Sequence, residues 1–280
     1  MAQIADVLRE ASQVLQNAGV PEARREAGSL LSFVIGKDRT FLIAHAEDGL
    51  DDRQVDQFRE TVERRAAGEP LQYITGVQDF FGREFRVTPD VLIPRPETEL
   101  LVEAALELGR TATEICDIGT GSGCIALTLL CELKDARAIA VDKSPAALEV
   151  AKFNAQKLSV ADRVEFVISD CFKALDNREF ELIVSNPPYV SASFLPGLQR
   201  EVRDHEPLVA LSPGPDGLSV IRRLIQEAPA YLKQNGHLMM EIGFDQGEAV
   251  HQLIDASVWQ SLEIRPDLQC IPRIVVLRKR

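Results

Sequence analysis

The sequence predicts an α/β protein: a mostly parallel sheet with an antiparallel C-terminal edge, preceded by a small helical bundle and a β-hairpin linker. Three observations carry this expectation. From Glu114 onward, short apolar strand-like runs alternate with helix-like runs, the pattern of a parallel sheet covered on both faces. Residues 1 to about 70 place apolar side chains at the 3.6-residue period and show no alternating strand pattern. Between them, 77–88 reads VQDFFGREFRVT, with aromatic and β-branched residues on either side of Gly82, a hairpin signature. The expected organisation is therefore a helical domain at 1–75, a hairpin linker at 76–90 and an α/β domain at 91–280.

The elements follow in order. Ile4, Val7, Leu8, Ala11, Val14, Leu15 and Ala18 form a first helical stripe, punctuated by Gly19 and Pro21. Ala23, Ala27, Leu30, Leu31, Val34 and Ile35 form a second, ended by Gly36, and 51–67 form a third, stopped by Gly68 and Pro70. Pro96 stands where the next helix begins, with Glu97 and Glu99 in a first turn that favours acidic side chains. EICDIG is a strand, followed by a Gly-rich turn and the helix CIALTLLCEL. ARAIAVD is a strand, and SPAALEVAKFNAQKL a helix with Ser144 as N-cap and Pro145 at its first position. RVEFVIS and FELIVS are strands, the second running into NPPYV. DGLSVIRRLIQEAPAYL reads as a helix, GHLMMEIG as a strand and QGEAVHQLIDAS as a helix. WQSLEI and RIVVLRK close the chain as neighbouring strands that can pair antiparallel.

Composition narrows the function classes. The chain has 280 residues, 45% hydrophobic and 26% charged, which is ordinary for a globular protein and excludes disorder for most of its length. Lys+Arg number 31 and Asp+Glu 43, a net charge of -12. Residues 1–85 carry 10 basic and 15 acidic residues, and the remainder 21 and 28, so no basic domain is masked by an acidic one. Duplex binding relies on Lys and Arg neutralising phosphates, and direct nucleic-acid binding is not expected. The five cysteines include no C-x-x-C pair, and no Cys/His spacing fits zinc; no metal is expected, and reduced thiols suit a cytoplasmic protein. The N-terminus lacks a basic n-region and an apolar h-region, and no stretch approaches the length of a membrane span. A monomer with no membrane association is expected.

Three segments carry chemistry. Asp117-Ile118-Gly119-Thr120-Gly121-Ser122-Gly123 lies between the first strand of the sheet and its helix, the usual place for a nucleotide. Its spacing is G-x-G-x-G, not the G-x-G-x-x-G of dinucleotide enzymes, and alone it reads equally as a plain strand-to-helix turn. Asp142 ends the second strand, 19 positions after Gly123, where a carboxylate can accept from both ribose hydroxyls. Together the two point to a cofactor containing adenosine. Asn186-Pro187-Pro188-Tyr189 stands at the carboxyl end of the fourth strand. The prolines fix φ and remove two donors, and Asn186 is pushed to extended geometry. The segment therefore offers acceptors beside a flat aromatic ring, a wall suited to a planar NH2 group on a conjugated carbon.

D-x-G-T-G-S-G, the acid after strand two and N-P-P-Y after strand four resemble S-adenosylmethionine (SAM)-dependent methyltransferases of amino nitrogens, whose domain is Rossmann-like. GEPLQYITGVQDFFG at 68–82, LIPRPETE at 92–99, EPLVALSPGPDGL at 206–218 and QGE at 246–248 extend the resemblance over nearly the whole chain. The chain resembles the HemK/PrmC family, the N5-glutamine methyltransferases of peptide chain release factors. It departs from that family's pattern at Ser212-Pro213-Gly214 and around Cys270 and Ile271.

The resemblance implies that Gly119, Thr120, Gly121, Ser122 and Gly123 line the methionine and ribose part of SAM. It implies that Asp142 holds the ribose hydroxyls, and that Asp170 and Cys171 flank the adenine. Asn186 and Pro187 would bind the glutamine amide nitrogen at the cofactor's edge, with Pro188 beside them and Tyr189 packed on the amide plane. Arg95 and Glu97 lie in the family motif without an assigned role. The implied partner is a release factor, docked in part by the helical domain. Four rivals remain: a glutamine methyltransferase of a ribosomal protein, a DNA adenine-N6 methyltransferase, a nicotinamide-dependent oxidoreductase and a non-catalytic SAM-binding module. The acidic balance opposes the second, the glycine spacing the third, and the intact acceptor wall the fourth.

Overall fold

A computed structural model describes residues 2–176 and 178–280. The chain divides into two compact units, Met1–Gly76 with Gln199–His205, and Val77–Leu198 with Glu206–Arg280. The sequence stripes become helices Ile4–Asn17, Ala23–Ile35 and Asp52–Ala66 of the first unit. Their apolar faces meet in one core that includes Val7, Leu15, Leu30, Leu31 and Phe58. Asp51 caps the third helix reciprocally with Gln54, satisfying two orphan donors. Two short helices, Arg39–Ala44 and Leu71–Thr75, and a two-residue ladder between β1 (Ala2–Gln3) and β2 (Gly49–Leu50) are too short to leave a periodic signal. Arg65 is buried and pairs with Glu26 at 2.5 Å and with Glu201 at 2.7 Å, which ties the helix Arg200–His205 to this unit.

In the second unit β3 (Val77–Phe80) and β4 (Arg83–Arg86) form the expected hairpin. Phe81 and Gly82 both take positive φ, 51° and 68°, the backbone of a two-residue type I′ turn. Glu99 accepts the Phe81 N–H at 2.7 Å, and Phe80 and Phe85 enter the core of the unit.

The main sheet has seven strands: β5 (Glu114–Ile118), β6 (Arg137–Asp142), β7 (Val164–Ile168), β8 (Phe180–Ser185), β9 (Leu232–Glu241), β10 (Trp259–Pro266) and β11 (Pro272–Lys279). Their order is β10-β11-β9-β8-β5-β6-β7. The pairs from β7 to β9 are parallel, and β11 pairs antiparallel with both β9 and β10, giving the antiparallel C-terminal edge. Strand residues alternate between two cores: Ile115 and Leu182 face one side, Cys116 and Ile183 the other. Helices Glu99–Leu108 and Cys124–Glu132 cover the first face, and Ser219–Glu227 the second.

Two helices end earlier than the sequence pattern suggests. DGLSVIRRLIQEAPAYL is α-helical only over Ser219–Glu227 and tightens to a 3-10 turn at Ala228–Ala230, because Pro229 has no N–H to continue the ladder. The last helix spans only Gly247–His251. No helix among the described residues is long and apolar enough to cross a membrane.

Helix Pro145–Lys157 supplies the brace of the ligand side. Asn154 is fully buried; its Oδ1 accepts from Arg86 N at 2.7 Å, and its Nδ2 donates to Arg86 O at 3.0 Å and Ser122 O at 2.9 Å. One amide thus joins hairpin, helix and Gly-rich turn. Replacing it with alanine strands the Ser122 carbonyl, and orphaned buried polar groups cost roughly 1–3 kcal/mol each. Asn154→Ala is expected to lower unfolding free energy by about 2–3 kcal/mol, read by urea titration; an unchanged midpoint would show that the brace contributes nothing net.

Candidate active site

A cleft enclosing about 990 Å³, open solvent at its mouth included, lies at the carboxyl ends of β5, β6, β7 and β8. Ligands in open α/β sheets bind at this edge. Gly119, Thr120, Gly121 and Ser122 line it after β5, and Asp142 after β6. Asp170 and Cys171 line it after β7, and Asn186, Pro187 and Pro188 after β8. Gly123 and Tyr189 are not among its lining residues. Gly123 is buried at φ 83° as the cap of helix Cys124–Glu132, and a Cβ there would come within 2.8 Å of Leu127 Cδ1. Its role is therefore close packing of turn on helix.

The turn is bonded from within. The N–H groups of Gly119 and Thr120 donate to Val141 O, that of Gly121 to Asp142 Oδ2 and that of Gly123 to Thr120 O. Asp142 also accepts Ser144 N at 2.9 Å through Oδ1. Each of its carboxylate oxygens thus holds one backbone N–H and keeps further lone-pair capacity. A Cβ on Gly119 or Gly121 would meet nothing within 4 Å, so the open side of the turn is a bare backbone surface.

Asp117, one hydrogen bond behind the turn, is fully buried and accepts from Thr120 Oγ1 at 2.7 Å and Ala126 N at 3.3 Å. Burial pushes its carboxyl up to about 7, against the opposing pull of those two donors. Asp170 is the reverse case. Lys173 and Arg223 grip its two oxygens and hold it down at about 2. Its carboxylate is neutralised by these two cations while keeping further lone-pair capacity, and beside it stand the backbone at 170–171 and the buried Cys171, whose thiol is raised by burial.

On the opposite wall, Asn186 Nδ2 donates to Thr98 Oγ1 at 3.0 Å, and Thr98 Oγ1 donates to Glu241 Oε2 at 2.7 Å. Tyr189 OH donates to Glu241 Oε1 at 3.0 Å. Tyr189 sits against the apolar core, and burial followed by the Glu241 charge raises its hydroxyl well above the ordinary range. Gln246 is buried and donates to Tyr189 O at 3.0 Å and Gly217 O at 3.2 Å, while its Oε1 accepts Gly243 N. Arg95 pairs with the buried Glu206 at 2.5 Å, and Glu97 is exposed.

Thr98 and Glu241 are functional candidates that sequence reasoning passed over. Glu241 had a signal: it is the one acidic residue in the apolar run HLMMEIG. Thr98 had none beyond its place in IPRPETE.

Residues 6–76 match the family model described as the PrmC N-terminal domain, and 96–195 match the methyltransferase small domain. A release factor glutamine methyltransferase of Koribacter versatilis is 44% identical over 268 residues, covering 95% of this chain and 94% of that protein. One from Cereibacter sphaeroides is 46% identical over 274 residues, 98% of each. The chain belongs to the release factor glutamine methyltransferase family. Among solved structures, the hMettl16 catalytic domain matches this methyltransferase with a TM-score of 0.59 at 16% identity, over 79% of this chain and 81% of that one. A methyltransferase from Pyrococcus furiosus gives 0.51 at 14% identity, over 78% and 96%. At these identities the likeness concerns the fold alone, which is the Rossmann-like methyltransferase fold.

The buried Asp117 gives this methyltransferase a measurable pH dependence. Its carboxyl titrates at about 7 when folded, against 3.8 ordinarily. Between those values the folded state keeps a proton that the unfolded chain has lost. Folding stability therefore falls as pH rises through the window and levels off above it. At about 1.4 kcal/mol per pH unit, the full window is worth roughly 4 kcal/mol. Thermal melts from pH 4 to 8 should show wild type losing stability relative to Asp117→Asn as pH rises. Parallel curves for the two proteins would refute the assignment.

Proposed function

We propose that this protein uses SAM to methylate the side-chain amide nitrogen (N5) of a glutamine in peptide chain release factors. The observation that carries the reading is the acceptor wall after β8. Asn186 spends its NH2 on Thr98, which leaves Oδ1 to accept, and Pro187 and Pro188 line the cleft beside it without an N–H to donate. Such a wall presents acceptors to an NH2 group.

The residues of the opposite wall fit SAM. The bare backbone at Gly119 and Gly121 admits a ligand at close range. Asp142 keeps lone pairs for two ribose hydroxyls. The 170–171 backbone and Cys171 offer an edge for adenine. The internal hydrogen bonds of the turn leave few N–H groups for a pyrophosphate, and Asp142 beside it would repel one, which disfavours a nicotinamide dinucleotide.

When bound, SAM supplies a sulfonium that makes its methyl carbon electrophilic. A glutamine amide nitrogen is a poor nucleophile because its lone pair is delocalised into the carbonyl. Asn186 Oδ1 and the Pro187 carbonyl would accept the two NH2 hydrogens and hold the nitrogen as it pyramidalises. The same acceptors stabilise positive charge as it develops on that nitrogen, and such positioning supplies roughly 7–11 kcal/mol when the geometry is near attack. No His or Cys stands in the NPPY segment to act as a base, and the proton leaves to water after transfer. The helical unit, Met1–Gly76 with Gln199–His205, is read as the docking module for a protein substrate, since remote contacts provide orientation that a small molecule would not need.

Methyl transfer from radiolabelled SAM tests the reading, with a release factor, a ribosomal-protein fraction and duplex DNA offered side by side and mass spectrometry locating the label. Label on a release-factor glutamine is expected; label only on ribosomal protein or DNA would overturn the substrate. In the same assay Asn186→Ala should cut kcat by about a hundredfold or more, with the SAM dissociation constant within about twofold of wild type. A parallel collapse of SAM affinity would show that Asn186 serves the cofactor and not the amide.

A further inference from the structure

We propose that Thr98 and Glu241 are positioning residues that fix the polarity of the Asn186 amide and so make the cleft select an NH2 group over a carboxylate. The inference rests on the amide-methylating function proposed above and adds the device that enforces it. An asparagine side chain is nearly symmetric in shape, and turning it by 180° about its last bond exchanges acceptor for donor. An Asn186 turned the other way would present its NH2 to the cleft and favour a substrate carboxylate or carbonyl. Something must therefore choose the end.

The choice is made by proton counting. A threonine hydroxyl has one proton and two lone pairs. Thr98 gives its proton to Glu241 Oε2 at 2.7 Å, and an ionised carboxylate can only accept. Toward Asn186, 3.0 Å away, Thr98 can then only accept, so Asn186 must turn its NH2 inward and its carbonyl to the cleft. The second carboxylate oxygen takes the Tyr189 hydroxyl proton at 3.0 Å, which gives Glu241 a donor on each side. Thr98 and Glu241 are each about 1% exposed, so water cannot readily replace either partner, and a wrong pairing leaves a buried polar atom unmatched. Burial raises the Glu241 carboxyl, and the Thr98 and Tyr189 hydroxyls with the Arg273 charge oppose that rise; the acceptor role belongs to the ionised form, which these three partners support.

The pairings draw on three distant segments: the turn Pro96–Thr98, the end of β9, and the first residues after β8. β8 and β9 are parallel neighbours in register at Ser185 and Met240, which brings Asn186 and Glu241 out at the same edge. Thr98 closes the gap between them.

The test uses Thr98→Val, which keeps shape and removes the hydroxyl, Thr98→Ser, which restores a hydroxyl, and Glu241→Gln, which can donate where only an acceptor stood. The first readout needs no substrate: hydrogen exchange of the Asn186 side-chain NH2, followed by NMR. Exchange is expected to be slow in wild type, at least about tenfold faster in Thr98→Val, and slowed again in Thr98→Ser. The second readout is selectivity, the KM for the methylated protein against the inhibition constant of the same protein with its target glutamine replaced by glutamate. Wild type should favour glutamine by about a hundredfold or more, since a site built around a substrate NH rejects an analogue lacking it. Thr98→Val should lose at least about tenfold of that preference, with SAM affinity within about twofold. Glu241→Gln permits both amide orientations and should also lose preference.

A general packing defect would lower Tm and SAM affinity while leaving the glutamine-to-glutamate ratio in place, and that result would overturn the inference. So would equal exchange rates in wild type and Thr98→Val, or an unchanged ratio in Glu241→Gln. If wild type methylates no glutamine at all, the proposed function fails, and the exchange experiment still decides the polarity.

Discussion

The acceptor side of the site depends on one buried carboxylate. Glu241 ends β9 inside the protein, where an ionised group is tolerated only if its oxygens are taken up. The donors that take them up are Thr98, from the turn that opens helix Glu99–Leu108, and Tyr189, from the loop after β8. Satisfying one charge thus joins three segments, and their joining shapes the wall on which Asn186 stands. Gln246 extends the same logic by a further turn, gripping the Tyr189 and Gly217 carbonyls and the Gly243 N–H. A loop containing two prolines cannot brace itself with its own donors, so its order comes from these neighbours.

The cofactor side is built on the same economy of partners. Asp142 caps the Gly-rich turn through Gly121 N and the next helix through Ser144 N. Ser144 in turn caps that helix at Ala147, and Asn154, one face further along it, returns to the Ser122 carbonyl. The helix Pro145–Lys157 therefore holds the turn from both ends. This explains why an acid at the end of the second strand is needed even before any ligand arrives.

What could be read in the sequence was whatever local pattern encodes. The apolar strands, the Gly-rich turn, Asp142 and N-P-P-Y announce themselves within a few residues, and the cleft brings together Gly119 to Ser122, Asp142, Asp170, Cys171 and Asn186 to Pro188. Thr98 and Glu241 could not be read that way, because they are 143 positions apart and matter only as a pair. Arg95 is the same kind of case: its partner Glu206 lies 111 residues on, and a helix-start motif gives no hint of it. Asp170 shows the opposite limit. Its position was legible, but not that Lys173 and Arg223 already occupy its oxygens.

The two walls also explain why a Gly-rich turn in this protein does not amount to a phosphate site. Phosphate-binding turns work by aiming free N–H groups at an anion. Here Gly119, Thr120, Gly121 and Gly123 spend theirs on Val141, Asp142 and Thr120, and the Asp142 carboxylate stands beside them. The turn keeps the backbone exposure that glycine provides while its electrostatics are reversed, which suits a ligand carrying positive charge. Across the cleft, N-P-P-Y removes donors and Asn186 presents a carbonyl. Asp142 on one wall and the Asn186 carbonyl on the other are acceptors, an arrangement that suits a cationic methyl donor on one side and a nitrogen acquiring positive charge on the other. In the proposed reaction the two partners need the same sign of field, so a single cleft suits both.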